Sequence, residues 1–405
     1  MRRSVAVLLL LVAAATAQED EFTRELDAGK RLFDEGRFAE AVPSFARARL
    51  AEPNRWEGHT WQAFALVQLA YAERGEQRRK DLLDEVRALT GPLVKQCGLN
   101  FSDPLRHYLL GLADHGDGEI ELSFEHFKKA RAAGRDLIEP YRGIQLDEQV
   151  ARAYGRAAKL LATRLVLKGE FSRAHPLFRD ALTAMDGLSE TERDVRDCHQ
   201  ALALTSAQLG RTKESLVHFN ALLEIEGRDR AKRYDLLAAI ATVHFQIGEV
   251  EQGNAALAKI PADVRQSRVV EARCRAKKVV ALRAPASKAM LDALAFLRES
   301  IETLPAEERF QLVADYVELV IAQQSAPAAE LDRALVENAI GRLSKEVERR
   351  PECPSFYLQL QRCHELLGEQ EKAARNALLH EQKKRAFEGQ PRFDSRGRPR
   401  CPTSD

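Results

Sequence analysis

The stretch that decides the fold reads Gly29-Lys-Arg-Leu-Phe-Asp-Glu-Gly36-Arg-Phe38-Ala-Glu-Ala41-Val-Pro-Ser-Phe45-Ala-Arg-Ala48. A small residue stands seven positions before a turn glycine, and an aromatic residue, a small residue, a phenylalanine and an alanine follow the turn. Small residues let two helices approach closely, and the larger side chains fill the gap beside them. Because a pattern of this kind that returns along a chain marks stacked repeats, the sequence predicts an all-α fold of helical hairpins.

The same pattern returns along most of the chain. It is clearest again from Leu161 to Ala181, around the turn glycine Gly169, and it is weaker around Gly210 and Gly248. From 263 to 349 the helical periodicity persists while the turn glycines fade, and helices are predicted at 263–282, 287–303, 306–323 and 328–349. We therefore divide the chain into a leader at 1–17, helical repeats at 18–262, divergent helical repeats at 263–349, a C-terminal hairpin at 350–386 and a basic tail, predicted to be disordered, at 387–405.

These helix-packing positions resemble those of the tetratricopeptide repeat (TPR) family. The matching residues are Gly29, Ala41, Phe45, Ala48 and Pro53 in the first hairpin and Ala162, Ala174, Phe178 and Ala181 in the fourth. The resemblance implies a TPR-like solenoid, in which antiparallel helix pairs stack into a right-handed superhelix. The turn glycines at 169, 210 and 248 are 41 and 38 residues apart, whereas the family repeats about every 34 residues. Slightly longer helices or linkers are therefore expected.

The resemblance also implies a concave groove, lined by the first helix of each pair, that binds extended or helical peptides. The positions that would line it here are Lys30, Phe33, Tyr108, Lys159, Thr163, Gln200, Gln208, Phe245 and Gln246. Such a mixture suits hydrogen bonds to a peptide backbone and contacts with apolar side chains. The alternative at each position is packing between repeats. Lys30 stands where one subclass has the asparagine that grips a terminal carboxylate, so that kind of clamp is not predicted.

The N-terminus has the three parts of a secretory signal peptide. Arg2 and Arg3 supply positive charge, an apolar run follows, and Ala15-Thr16-Ala17 offers a small-residue cleavage site. The apolar run is shorter than the roughly 20 residues that span a bilayer, and no later segment is long enough either. The sequence thus predicts an exported protein, periplasmic or extracellular, with no membrane span once the signal is removed.

Composition and motifs give little indication of a catalytic, cofactor or metal site. The net charge is +1, which gives no bias toward nucleic acid. The six cysteines are scattered, and ten helical residues between Cys353 and Cys363 would separate them by about 15 Å, too far for a disulfide. His364-Glu365 lacks the second histidine of a zinc-protease helix, and the acidic stretch 114–119 lacks calcium-loop spacing and is interpreted as a turn. No cofactor, metal site or catalytic residue is predicted.

The first hypothesis is therefore a non-catalytic scaffold that binds a protein or peptide partner of unknown identity in the concave groove. The second is an envelope enzyme whose site lies in the divergent 263–349 helices. The third is a structural envelope component that self-associates through the ends of the solenoid. The sequence leaves the oligomeric state open.

Overall fold

The computed structural model describes residues 21–99, 103–133, 138–226, 228–306, 308–327 and 329–387. The predicted signal peptide and residues 388–405 of the predicted tail lie outside the described residues. The described residues are helices and their connections, with no strand among them. None of the described helices is long and apolar enough to cross a membrane.

The helices follow one another in pairs. The first helices are α1 (21–34), α3 (Trp56–Ala72), α5 (Pro104–Gly116), α7 (Leu146–Leu167), α9 (Glu192–Gln208), α11 (Arg230–Gln246), α13 (Ser267–Leu282), α15 (Phe310–Gln324) and α17 (Pro354–Leu366). The second helices are α2 (Phe38–Ala51), α4 (Glu76–Lys95), α6 (Ile120–Arg131), α8 (Phe171–Met185), α10 (Thr212–Glu226), α12 (Val250–Leu257), α14 (Lys288–Thr303), α16 (Arg333–Arg349) and α18 (Gln370–Phe387). A 3-10 helix, Glu139–Ile144, precedes α7.

The chain divides into two compact units. One extends to Leu161 and includes Leu177–Val195, and the other comprises Ala162–Pro176 with the residues from Arg196 onward. Within the first unit, α3 contacts both α4 and the next first helix, α5. Within the second unit, α11, α13 and α15 each contact the next first helix as well as their own partner. This is the sequential pairwise packing of stacked antiparallel helix pairs, as the sequence predicted.

Tight glycine turns join most pairs. The predicted turn glycines Gly36, Gly118, Gly169, Gly210, Gly248 and Gly368 have φ between 69° and 81°, a left-handed conformation that costs glycine little. The first pair illustrates the hydrogen bonds of such a turn. The Gly36 N–H donates to the Phe33 carbonyl, and the Arg37 N–H donates to the Leu32 carbonyl. The last carbonyls of the first helix are thus satisfied as the chain reverses.

Close packing of glycine against phenylalanine holds the pairs together. A Cβ built on Gly29 would lie 2.5 Å from the Phe45 ring, and one built on Gly111 would lie 2.6 Å from the Phe127 ring. Both rings are buried. The small residue predicted before the turn is therefore the one against which the later phenylalanine packs.

The divergent segment also forms helix pairs. Its helices α13, α14, α15 and α16 were predicted at 263–282, 287–303, 306–323 and 328–349, so each begins one to five residues later than expected. The connection 283–287 and the connection 325–332 take the place of the glycine turn. Pro92 lies inside α4, which continues to Lys95, and the Gln96 N–H donates to the Pro92 carbonyl.

Candidate functional site

The structure brings two of the predicted groove residues together, at Trp61. The Phe33 ring meets the Trp61 ring edge-on at a centroid distance of 5.5 Å, and the Lys30 Nζ lies 5.5 Å from the centroid of Trp61. All three side chains are half-buried. The Lys30 ammonium is thus already placed on an aromatic face of its own chain.

Two predicted groove residues lie in the core. Tyr108 is 7% exposed and packs between Phe64 and Phe127, with ring centroids 6.1 and 5.9 Å away. Phe245 is 4% exposed, and its ring occupies the space that a Cβ on Gly253 would need. The prediction that Tyr108 and Phe245 line an open groove is therefore wrong, because helix pairing uses both rings.

Lys159 is held by an ion pair inside the first unit. Its Nζ lies 2.5 Å from Asp194 Oδ1, while Arg156 Nε lies 2.9 Å from Asp194 Oδ2. Burial raises the pKa of Asp194, but the hydrogen bonds from Lys159 and Arg156 outweigh it and keep that pKa below its usual value. Lys159 thus joins α7 to the start of α9, and a charge reversal there would set two carboxylates against each other.

The remaining predicted positions are exposed on first helices. They are Thr163 on α7, Gln200 and Gln208 on α9, and Gln246 on α11. Their exposure fits a surface role, but no hydrogen bond links Gln200, Gln208 and Gln246 to one another.

A charged cluster on α13 and α15 was not predicted. Lys278 Nζ donates to Asp315 Oδ1 at 2.8 Å and to Glu318 Oε2 at 2.7 Å, and Gln311 Nε2 donates to Asp315 Oδ1 at 3.2 Å. Lys278 and Asp315 are buried, whereas the Glu318 side chain is 46% exposed. A signal was present in the sequence, because Asp315 interrupts the apolar run from Leu312 to Val317 and a buried charge requires a partner.

Two further carboxyl groups on these first helices have raised pKa values. Burial raises the pKa of Glu271 on α13 to about 7, although Arg268 and Arg275 oppose the shift. Burial also raises the pKa of Asp235 on α11, again against the effect of Arg268. Perturbed carboxyl groups tend to cluster at functional sites. We call Asp235, Arg268, Glu271, Arg275, Lys278, Asp315 and Glu318 the charged strip.

The raised pKa of Glu271 predicts a specific pH dependence. Between pH 4.5, the ordinary pKa, and about 7, the folded protein keeps a proton that the unfolded chain releases, so Glu271 destabilises the fold as pH rises through this window. We expect Glu271→Gln to raise the thermal midpoint at pH 8, with a gain that shrinks toward pH 5. Thermal melts from pH 5 to 8 provide the measurement. Glu251→Gln, at an exposed position, is the control for the substitution itself. A gain independent of pH at position 271 would contradict the assignment.

One trio of side chains contains the residue types of a hydrolytic triad. His175 Nε2 lies 3.0 Å from Ser206 Oγ and 3.2 Å from Glu214 Oε1. A catalytic triad needs the serine and the acid on opposite ring nitrogens. Here both face Nε2, and Arg211 lies 3.3 Å from Nδ1. Because Ser206 is also fully buried, the arrangement is structural.

Two histidine pairs repeat one geometry. His107 and His126 face each other through Nδ1 atoms 3.0 Å apart, as do His199 and His218. Burial, together with His126, lowers the pKa of His107 to about 4. Each contact is thus a hydrogen bond between helices of one pair. No group of three or more metal-ligating side chains occurs in the part of the chain that the structure describes.

The cysteines found free are Cys97, Cys198, Cys274 and Cys363. Cys363 is therefore not bonded to Cys353, in agreement with the separation expected from the sequence. Burial raises the pKa of Cys363 to about 12 and that of Cys97 to about 11, with Glu57 adding to the effect on Cys97. Neither thiol has the lowered pKa of a catalytic nucleophile.

Comparison with known proteins finds similar solved structures only, all of low sequence identity. The sequence matches no family model and no curated protein. Solved structures similar to this one include the apo form of RapI, with 11% identity, a TM-score of 0.40 and coverage of 91% of this chain and 98% of that chain. A TPR domain of P58(IPK) has 14% identity, a TM-score of 0.25 and coverage of 89% and 92%. A tetratricopeptide repeat protein from Parabacteroides merdae ATCC 43184 has 15% identity, a TM-score of 0.31 and coverage of 73% and 99%.

The fold is assigned from the structure of this chain. Helices pair in sequence, positive-φ glycines reverse the chain between paired helices, and small residues receive phenylalanine rings. The chain is an all-α, TPR-like helical repeat protein.

Proposed function

We propose that the protein is a non-catalytic scaffold that binds a protein or peptide partner on the exposed side of its first helices. The supporting observation is the charged strip on α11, α13 and α15. These first helices contact one another in sequence, so their exposed polar groups form a preorganised surface rather than isolated positions.

The strip has features that suit a peptide carrying charges of both signs. Arg268 is exposed, and Arg275 and Glu271 are half-buried beside it. Glu318 keeps nearly half of its side chain in solvent while it accepts from Lys278. Gln246, at the end of α11, offers an amide that can pair with a peptide backbone. Charges of both signs favour partner discrimination and a fast association rate more than raw affinity.

The absence of catalysis is part of the proposal. The buried serine of the histidine trio has no access to a substrate, and the Lys278 ammonium is bound by two carboxylates. An activated nucleophile with an adjacent, oriented base is the usual signature of covalent catalysis. The enzyme alternative would require such a pair in the divergent helices, and no observation favours it over the scaffold.

Site-specific photo-crosslinking in the native host tests the scaffold proposal. We expect a photoreactive residue at Gln208 or Gln246 to capture a partner, while one at Val217 on α10 or Leu378 on α18 does not. Val217 and Leu378 are matched controls, because both are exposed on second helices. The captured partner should then bind the purified protein, and Arg268→Glu should weaken that binding while helicity is unchanged. Capture only from the control positions, or undiminished affinity of the variant, would place the site elsewhere.

Export is a second component of the proposal, and it rests on the sequence of residues 1–17. We expect the leader to be removed after Ala17, so that protein purified from its native host begins at or near Gln18. Intact mass and N-terminal sequencing provide the measurement. Ala17→Arg should block removal, because the cleavage site requires small residues. Recovery of the native protein with its leader intact would refute export by cleavage.

A further inference from the structure

The last helix pair begins at a cysteine that is not a free thiol. Cys353, the N-cap residue of α17, is bonded in a disulfide. Four of the six cysteines in the chain are free, and they are Cys97, Cys198, Cys274 and Cys363. The sixth is Cys401, which lies outside the described residues. Elimination therefore leaves Cys401 as the one cysteine of this chain that can be the partner of Cys353.

The fold brings the C-terminal half of α18 back to the start of α17. The two helices pack as a pair, and the His380 Nδ1 donates to the Pro354 carbonyl at 2.9 Å. Pro354 is the residue that follows Cys353. The last residue of α18 is Phe387, seven residues after His380. At a helical rise of about 1.5 Å per residue, α18 therefore ends roughly 10 Å along its axis from this contact.

The chain beyond α18 is long enough to return to Cys353. Cys401 is fourteen residues after Phe387, and an extended chain of that length spans up to about 46 Å. A disulfide requires the two Cα atoms to be about 5.5 Å apart. The available span is several times the distance from the end of α18 to the start of α17. A bond between Cys353 and Cys401 therefore requires no change in α17 or α18.

The packing of α18 explains why such a bond would be useful. α18 is the last described helix, and Ala373 is its one buried side chain within the described range. Cys353, in contrast, is fully buried and belongs to the same apolar core as Phe356 and Leu360 of α17. A terminal repeat packs on one neighbour instead of two, so it opens more readily than an internal repeat. A covalent loop anchored at Cys353 would restrain that opening.

We propose that Cys353 and Cys401 form a disulfide that closes α17, α18 and the basic tail into one covalent loop. As the S–S bond forms, the two thiols lose two protons and two electrons, and a disulfide-bonded oxidoreductase accepts them and becomes a dithiol. The inference rests on the export proposed above, because structural disulfides persist in oxidising compartments. It goes beyond the proposed partner surface, since no residue of the charged strip takes part.

Peptide mapping of the protein from its native host tests the pairing. Cells are treated with an alkylating reagent before lysis, so that free thiols are blocked, and the protein is digested with trypsin without reductant. We expect peptides 350–362 and 401–405 to be linked and to separate on reduction. Alkylated Cys353 and Cys401, or a link from either to another cysteine or a second chain, would overturn the proposal. The N-terminal peptide of the same sample distinguishes the two failures, because a removed leader with both cysteines alkylated refutes the disulfide and leaves export standing.

Hydrogen exchange tests the effect of the bond on the last helix pair. We expect Cys401→Ser to speed exchange of the α18 amides at least about tenfold relative to oxidised wild type, because the disulfide restrains the loop that it closes. Wild type whose reduction is verified by mass should match Cys401→Ser, and reductant should not change the variant further. Cys97→Ser, which removes a free and half-buried thiol, is the matched control and should leave α18 unchanged. Exchange of α18 that is the same in Cys401→Ser and oxidised wild type would refute the restraint.

Discussion

Lys278→Met lowers the stability of the second unit by about 3–5 kcal/mol, the usual cost of removing one partner from a buried ion pair. The loss arises because Asp315, which is 3% exposed, would keep a buried carboxylate without its cation. The remaining donor, Gln311 Nε2 at 3.2 Å, is neutral and does not replace the ammonium. Native-state hydrogen exchange of the α13 and α15 amides measures the effect in the unit concerned.

The double variant Lys278→Met, Asp315→Leu separates the cost of an unpaired charge from the loss of packing. With both charges gone and apolar volume in their place, most of the lost stability should return, since well-packed apolar replacements of buried ion pairs are often neutral or better. Glu318→Gln is the control and should cost less than about 1 kcal/mol, because nearly half of that side chain is in solvent and an amide still offers an oxygen to Lys278. A single variant as stable as wild type, or a double variant less stable than the single one, would contradict this account.

The fold was predictable where a local pattern encodes it. Gly29 with Phe45, and Gly111 with Phe127, each stand sixteen residues apart on the two helices of a pair, and a glycine turn lies between them. The pairs α13–α14 and α15–α16 were recognised only as helices, because their connections contain no turn glycine. The helix-forming pattern remained, while the signal for the turn was absent.

The site was less predictable, because its contacts join residues far apart in sequence. Lys159 forms an ion pair with Asp194, which lies 35 residues later in the chain, and Lys278 forms one with Asp315, which lies 37 residues later. No short-range pattern in the sequence predicts either ion pair. Tyr108 and Phe245 were misplaced for another reason. An aromatic residue on a first helix suits either a groove or a core, and only the packing against Phe127 or Gly253 distinguishes the two.

Phe127→Ala lowers the free energy of unfolding of the first unit by about 3–5 kcal/mol, the usual cost of deleting a buried phenylalanine side chain. The ring is 2% exposed and fills the space beside Gly111, with Tyr108 packed against it. A helix surface close enough to contact a ring edge cannot collapse into the cavity without moving α5 against α6. Leu122→Ala on the same helix is the matched control, and it should cost little because Leu122 is 55% exposed.

The complementary change tests whether the fit between residues 111 and 127 is as close as the structure indicates. Gly111→Ala alone should destabilise, although alanine favours helices, because its Cβ would lie 2.6 Å from the Phe127 ring. Phe127→Leu has a shorter side chain that vacates this space. In that background Gly111→Ala should lower the free energy of unfolding by less than it does alone, so the two changes are not additive. Both tryptophans, Trp56 and Trp61, lie in the first unit, so their fluorescence during chemical unfolding reports on it. A Gly111→Ala variant more stable than wild type, or strict additivity in the double variant, would show that the ring does not press on the helix at Gly111.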